Sequence, residues 1–220
     1  MFKMKKKKSG SVLNYFIYGI IVLVILVGLW TLFDYVHSSR SNISINNGTV
    51  YNGYNIYEEY TGVITLYSLE VISNDKTYYH KFRYYPTDLL GLRYEKEIES
   101  KVLSKDEDEY KDRIYISVDP NMTSDEVLST GILAQILGRN SYGIFKIKSV
   151  LGAFSRDYEG EDHPIKNCND ATRETGVIML QYGNPRIYSE GECVIVQGKD
   201  VTDFRMLNER LAYGLLEVIE

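Results

Sequence analysis

Few side chains of this sequence have the type and placement to do chemistry, and Asp119 stands first among them. It directly follows Arg113 to Val118, a predicted strand with Ile114, Ile116 and Val118 on one face, and precedes a helix predicted to start at Thr123. A carboxylate just past the carboxyl end of a strand lies where α/β sheets place ligands. The free N–H groups of the next helix would point toward the same crevice. Asp119, Pro120 and Asn121 are also strong turn formers, so a purely local role for Asp119 and Asn121 stands beside the binding role. Gly198 and Lys199, ahead of the last helix, form a second, weaker anion-binding arrangement of the same kind.

Acid–base and metal chemistry find less support. His37 lies in a polar stretch and His80 in a predicted strand with nothing local to orient it. His163 has Glu161 and Asp162 beside it but no third ligand at diagnostic spacing. Asp106-Glu107-Asp108-Glu109 lacks the spaced ligands and glycine of a calcium loop and reads as a solvated loop. The sequence contains no G-x-S-x-G, H-E-x-x-H, Walker loop or G-x-G-x-x-G. The expectation is a non-catalytic protein without cofactor or metal. The alternative is a tethered hydrolase or transferase acting on envelope material through Asp119.

Where the chain resides is more legible. Residues 12–33 carry no formal charge and are mostly Ile, Val and Leu. As a helix, 22 residues reach about 33 Å, enough for a hydrocarbon layer. Tyr15, Tyr18 and Trp30 lie toward its ends, at headgroup depth. Five lysines precede the segment and only Arg40 follows closely, which places residues 1–11 in the cytoplasm as a basic tail and the rest outside. The segment is too long for a signal-peptide core and has no small-residue cleavage site, so it is read as a retained anchor. Membrane lipid is thus the first expected partner, and an envelope protein or polysaccharide the second.

The whole chain of 220 residues has 25 basic and 30 acidic side chains, and five of the bases lie before residue 34. An acidic exterior argues against nucleic acid as a partner. Cys168 and Cys193 are the two cysteines, and an even number in an exported domain is expected to pair as a disulfide. Asn42, Asn47 and Asn121 begin N-glycosylation sequons, which have meaning on an exported chain.

The elements that would position these residues follow in order. Residues 34–49 read as a polar tether and residues 50–110 as a tyrosine-rich β subdomain. In the latter, Val63 to Ile72 and Lys76 to Tyr85 form a hairpin about Ser73-Asn74-Asp75. Its many tyrosines are read as cross-strand packing, with a stacking platform for sugar or peptide as the other reading. A short helix is predicted around Glu97 to Ser104.

Residues 111–220 read as an α+β or α/β domain of βαβββα-like order, a sheet packed by two helices. Thr123-x-x-Glu126 is a capping box that starts a helix running to about Leu137 and stopped by Gly138. Tyr142 to Val150 is a predicted strand, and residues 153–173 an irregular excursion. Gly183-Asn184 predicts a hairpin between Gly176 to Tyr182 and Pro185 to Tyr188. Phe204, Leu207, Leu211, Leu215 and Val218 give the last helix a 3.6-residue period, with Arg205, Glu209 and Glu217 placed on its surface.

The segment Val194 to Asp200, with Asp203 and the helix through Leu211-Ala212, resembles a motif of archaeal surface-layer proteins. In that motif a hydrophobic strand ends in Gly-Lys-Asp-like residues and enters an Asp-containing helix. The order around Val118 to Gly138 is similar to the first unit of that domain, although Val118-Asp119-Pro120-Asn121 replaces the family's turn. The whole chain also resembles single-pass surface proteins of small archaea. The surface-layer resemblance covers at most residues 113–220 and implies an envelope setting and a non-catalytic role.

Overall fold

The computed structural model describes residues 44–106, 109–158 and 163–219. The expected span 12–33, the sequon at Asn42 and His37 lie outside the described residues. Among the described residues no helix is long and apolar enough to cross a membrane.

The fold is α+β, mostly strands with a few helices. The strands β1 (Ser44–Tyr51), β2 (Tyr54–Tyr60), β3 (Thr65–Ser73) and β4 (Lys76–Phe82) form one sheet in chain order. Two turns fix its register. Asn52 and Gly53 have φ of 46° and 85°, and Asn74 and Asp75 have φ of 51° and 59°, the left-handed pair that a two-residue hairpin needs. β3 and β4 pair antiparallel about Asn74-Asp75 within this four-stranded sheet. Residues 44–49, read as tether, form most of β1, because Asn52-Gly53 folds them back onto β2.

A two-stranded ladder of β5 (Ser104–Asp106) and β6 (Glu109–Tyr110) follows the helix α1 (Ile98–Leu103). The second large sheet holds β7 (Arg113–Val118), β8 (Ser149–Phe154), β9 (Thr175–Tyr182), β10 (Arg186–Glu190) and β11 (Cys193–Gly198), in the order β10-β11-β9-β7-β8. Neighbours among β11, β9, β7 and β8 are parallel, and β10 runs antiparallel to β11. The helices α2 (Ser124–Leu128) and α3 (Gly131–Leu137) connect β7 to β8, and α4 (Val201–Leu215) ends the fold.

Three expectations about this layer are corrected. The Gly183-Asn184 hairpin does not form, because β11 lies between β9 and β10. Gly191, at φ 61°, turns β10 directly into β11, with Glu190 opposite Cys193. Gly183 instead permits close approach: its N–H donates to Gly198 O at 2.9 Å, and a Cβ there would crowd the Gln197 side chain. The helix expected from Thr123 to Leu137 breaks at Ser129-Thr130, where both hydroxyls donate to carbonyls three residues back. Leu128 is left 73% exposed by that break. The strand expected from Tyr142 begins only at Ser149, because the N–H groups of Ile144, Phe145 and Ile147 donate to the last carbonyls of α3.

The two large sheets share one hydrophobic cluster, from Ile56, Leu69 and Phe82 to Leu180, Val194 and Val196. Residues 50–110 are thus not a separate core, and α4 is the element that joins the layers. Its predicted stripe of Phe204, Leu207, Leu211, Leu215 and Val218 is buried as expected. Every residue from Leu207 to Leu215 is buried as well, the pattern of a helix enclosed on all sides. Phe82 stacks on Tyr213 with ring centroids 4.0 Å apart, and Tyr213 Oη donates to Tyr84 O.

Glu209, expected at the surface, is only 6% exposed. Its carboxylate accepts the N–H groups of Arg83 and Tyr84, capping the chain where it leaves β4. Burial pushes its pKa up to about 7 against the pull of those N–H groups and of the Arg83 and Arg205 charges. His80 is fully buried on the inner face of the first sheet and makes no hydrogen bond among the described residues. Burial lowers its pKa to about 4.

These two groups act on stability with opposite sign. His80 stabilisation is complete above its unfolded pKa near 6.5 and is lost as pH falls toward 4. Glu209 stabilisation is complete below 4.5 and is lost as pH rises through 7. Between pH 4.5 and 6.5 their contributions, each roughly 1.4 kcal/mol per pH unit, offset. Urea unfolding across that window should show stability rising with pH in Glu209→Gln and falling with pH in His80→Phe. Identical slopes in both variants would refute the assignment.

Candidate functional site

The residues singled out at the strand ends are brought together only in part, and as structure. The Asp119 carboxylate accepts the Asn121 N–H at 2.9 Å and the Arg156 guanidinium at 3.0 Å. Arg156 follows the end of β8, so this exposed ion pair ties two strand ends. The Arg156 hydrogen bond holds the Asp119 carboxyl below its ordinary range. Asn121 is exposed at the turn, and Asn47 lies in β1.

The helix starts are already capped. Thr123 and Glu126 form the predicted box, and Glu126 Oε2 also accepts Tyr182 Oη at 2.8 Å. Burial and the bond to Glu126 raise the Tyr182 pKa to about 12. Asp200 Oδ1 accepts the N–H groups of Thr202 and Asp203, and Asp203 accepts the Lys199 N–H. Carboxylates thus occupy the donors that an anion at Lys199 would need.

The Cys168–Cys193 disulfide is present. It fastens a short 3₁₀ turn, Cys168–Asp170, to the second face of the β7–β11 sheet, where Tyr115, Ala153, Val177 and Ile195 make a small cluster of their own. A charge network closes the same region. The buried Lys111 donates to Thr172 O at 2.7 Å and Glu192 Oε2 at 3.1 Å, and Lys101 donates to Glu192 Oε1. Burial raises the Glu192 pKa, but the two lysines outweigh it and the net direction is down. His163 lies edge-on to the Phe154 ring, with centroids 5.1 Å apart. Among the described residues no group of three or more His, Cys, Asp or Glu could hold a metal ion.

The tyrosines divide by strand alternation. Tyr54, Tyr67, Tyr84 and Tyr85 pack against the main core and Tyr78 is part of it. Tyr57 and Tyr79 face outward, with ring centroids 6.3 Å apart, around Glu70, which accepts Tyr57 Oη and Asn55 Nδ2. The packing reading holds for most of them, and on the outer face the Tyr57 and Asn55 groups are engaged by Glu70.

A concave feature lies elsewhere, in a cleft of about 950 Å³. The segment Arg93 to Glu95 forms one wall by pairing with β10, through Glu95 N to Ile187 O and Ile187 N to Arg93 O. The helix α1 continues that wall with Glu97, Glu99 and Ser100. The floor is the end of α4, with Arg210, Gly214 and Leu215. Tyr110 of β6, 54% exposed, and Phe145 close the far side, ring to ring at 5.6 Å.

Within the cleft the deepest charges are held internally. Arg210 is buried, lies over the Tyr94 ring at 4.1 Å and donates to Ile219 O. Tyr94 Oη donates to Glu99 Oε1 at 2.6 Å, and burial followed by that bond raises the Tyr94 pKa. A Cβ at Gly214 would lie 2.5 Å from Tyr94 Oη and 2.8 Å from Glu99 Oε1, so this pair would have to shift to admit a larger residue. Glu97 and Glu217 stand exposed at the rim, both with left-handed backbone, at φ 66° and 59°. Glu217 occupies the αL position of a Schellman ending, where Val218 N bonds Tyr213 O and Glu217 N bonds Gly214 O.

No family model matches this chain, and no curated protein or solved structure matches it.

The sequence reading missed this cleft. Its residues come from four separate stretches, and the one available signal was Arg210, a charged residue inside an apolar helical run.

Proposed function

We propose that the chain is a single-pass, membrane-anchored protein whose exported domain binds cell-envelope material without catalysis, through the cleft between α1 and the end of α4. The observation that carries the binding reading is that cleft: a concavity of about 950 Å³ with aromatic walls and exposed carboxylates. Pockets for small ligands have this scale and mixture. The lysine-flanked apolar segment 12–33 supports the anchor and its orientation. The disulfide suits an oxidising exterior, and the exposed sequon at Asn121 suits glycosylation there. The resemblance to archaeal surface proteins points to the same setting. An envelope protein or polysaccharide remains the expected partner class.

Asp119 is assigned to the turn and to the Arg156 pair, since its carboxylate is engaged by both. The test uses the full-length chain in detergent and co-sedimentation with isolated envelope. Tyr110→Ala should lose most of the sedimented protein. Asp119→Ala should sediment as the wild type does and remain folded, because an exposed ion pair adds little stability. Loss of binding in Asp119→Ala with retention in Tyr110→Ala would overturn the reading.

A further inference from the structure

The lining of the cleft narrows its ligand. Glutamates 95, 97, 99 and 217 share the walls with Lys96 and Arg210. Arg210 and Glu99 are engaged with Tyr94, and Glu95 accepts the Ser189 N–H and hydroxyl, so the charges left to a ligand, on Glu97, Glu217 and Lys96, are of both signs. The Glu97 and Glu217 carboxylates, together with the hydroxyls of Ser100 and Ser104, offer hydrogen-bond acceptors, while Lys96 offers donors. A ligand that satisfies both must donate and accept over its whole surface. Tyr110 and Phe145 add apolar ring surface to the lining, which calls for a ligand with flat C–H faces.

Hydroxyl-rich sugar rings have all of these properties. We infer that the cleft is a saccharide site that takes a neutral oligosaccharide, with Tyr110 supplying the stacking surface and Glu97 and Glu217 accepting from sugar hydroxyls. The assignment rests on the cleft being the binding surface, and it identifies the ligand class. The left-handed backbone at Glu217 fits this use. Glycine is the ordinary residue at that helix ending, and a glutamate there places a carboxylate at the rim at some cost in strain.

The test is titration of the full-length chain in detergent with cellotetraose, chitotetraose and maltotetraose, and with spermidine and polyglutamate as charged probes. At least one neutral tetrasaccharide should bind, with affinity changing less than about twofold between low and high salt, as expected where no net charge is exchanged. Tyr110→Ala should weaken it about tenfold, the size of a lost aromatic contact. Glu217→Gly should weaken it as well while raising the unfolding midpoint, which separates lost binding from lost folding. Binding of spermidine or polyglutamate in place of the sugars, or no sugar binding while Tyr110→Ala still abolishes envelope sedimentation, overturns the saccharide assignment alone. Unchanged sedimentation of Tyr110→Ala overturns the cleft reading beneath it.

Discussion

Phe82→Ala should lower the free energy of unfolding by about 4 kcal/mol, within the range for a fully buried phenylalanine replaced by alanine. Phe82 is 0% exposed and stacks on Tyr213 of α4, so its removal opens a cavity where the first sheet meets the helix that also packs on β11. The substitution loses transfer free energy and dispersion contacts together, since Tyr213 is itself held by Tyr84 O and cannot readily collapse into the gap. Tyr79→Ala on the outer face of the same strand supplies the comparison. Tyr79 is 50% exposed, and its loss should change stability by less than about 1 kcal/mol. Equal losses for the two variants, measured by urea unfolding, would show that the sheet is not coupled to α4 through this stack.

Reduction of the Cys168–Cys193 bridge should cost about 3.5 kcal/mol on the chain-entropy relation, for a sequence separation of 25 residues. The bridge joins β11 to the turn that covers the second face of its sheet, so this loss has a local structural counterpart. Lys111 Nζ to Thr172 O and Ser117 Oγ to Lys166 O are further ties of the loop at residues 166–174. The loop should therefore open first on reduction, with amide exchange rising in residues 166–174 before the strands. A urea midpoint unchanged by reductant, or protection lost uniformly across the fold, would contradict this.

Much of the secondary structure was legible because its causes are local. The capping box at Thr123 and Glu126, the period of α4 and the alternation of β7 each depend on residues a few positions apart. The Asn52-Gly53 turn signal is equally local, but the polar composition of residues 34–49 reads as tether and masks β1. Turn chemistry alone misassigned Gly183-Asn184, because a glycine that allows close approach to another strand looks the same in sequence as one that turns the chain.

Local sequence is enough for the charge asymmetry, the apolar segment that follows five lysines, the expected pairing of two cysteines and most element positions. All of these follow from composition or from short-range spacing. Long-range packing sets the insertion of β11 between β9 and β10, the burial of Glu209 against Arg83 and Tyr84, and the gathering of Tyr94, Glu97, Tyr110, Phe145 and Glu217 in one cleft with Arg210. Those outcomes depend on contacts between residues far apart in the chain, such as 83 and 209, whose free energies add up only once the sheets have packed on α4. No local pattern encodes them.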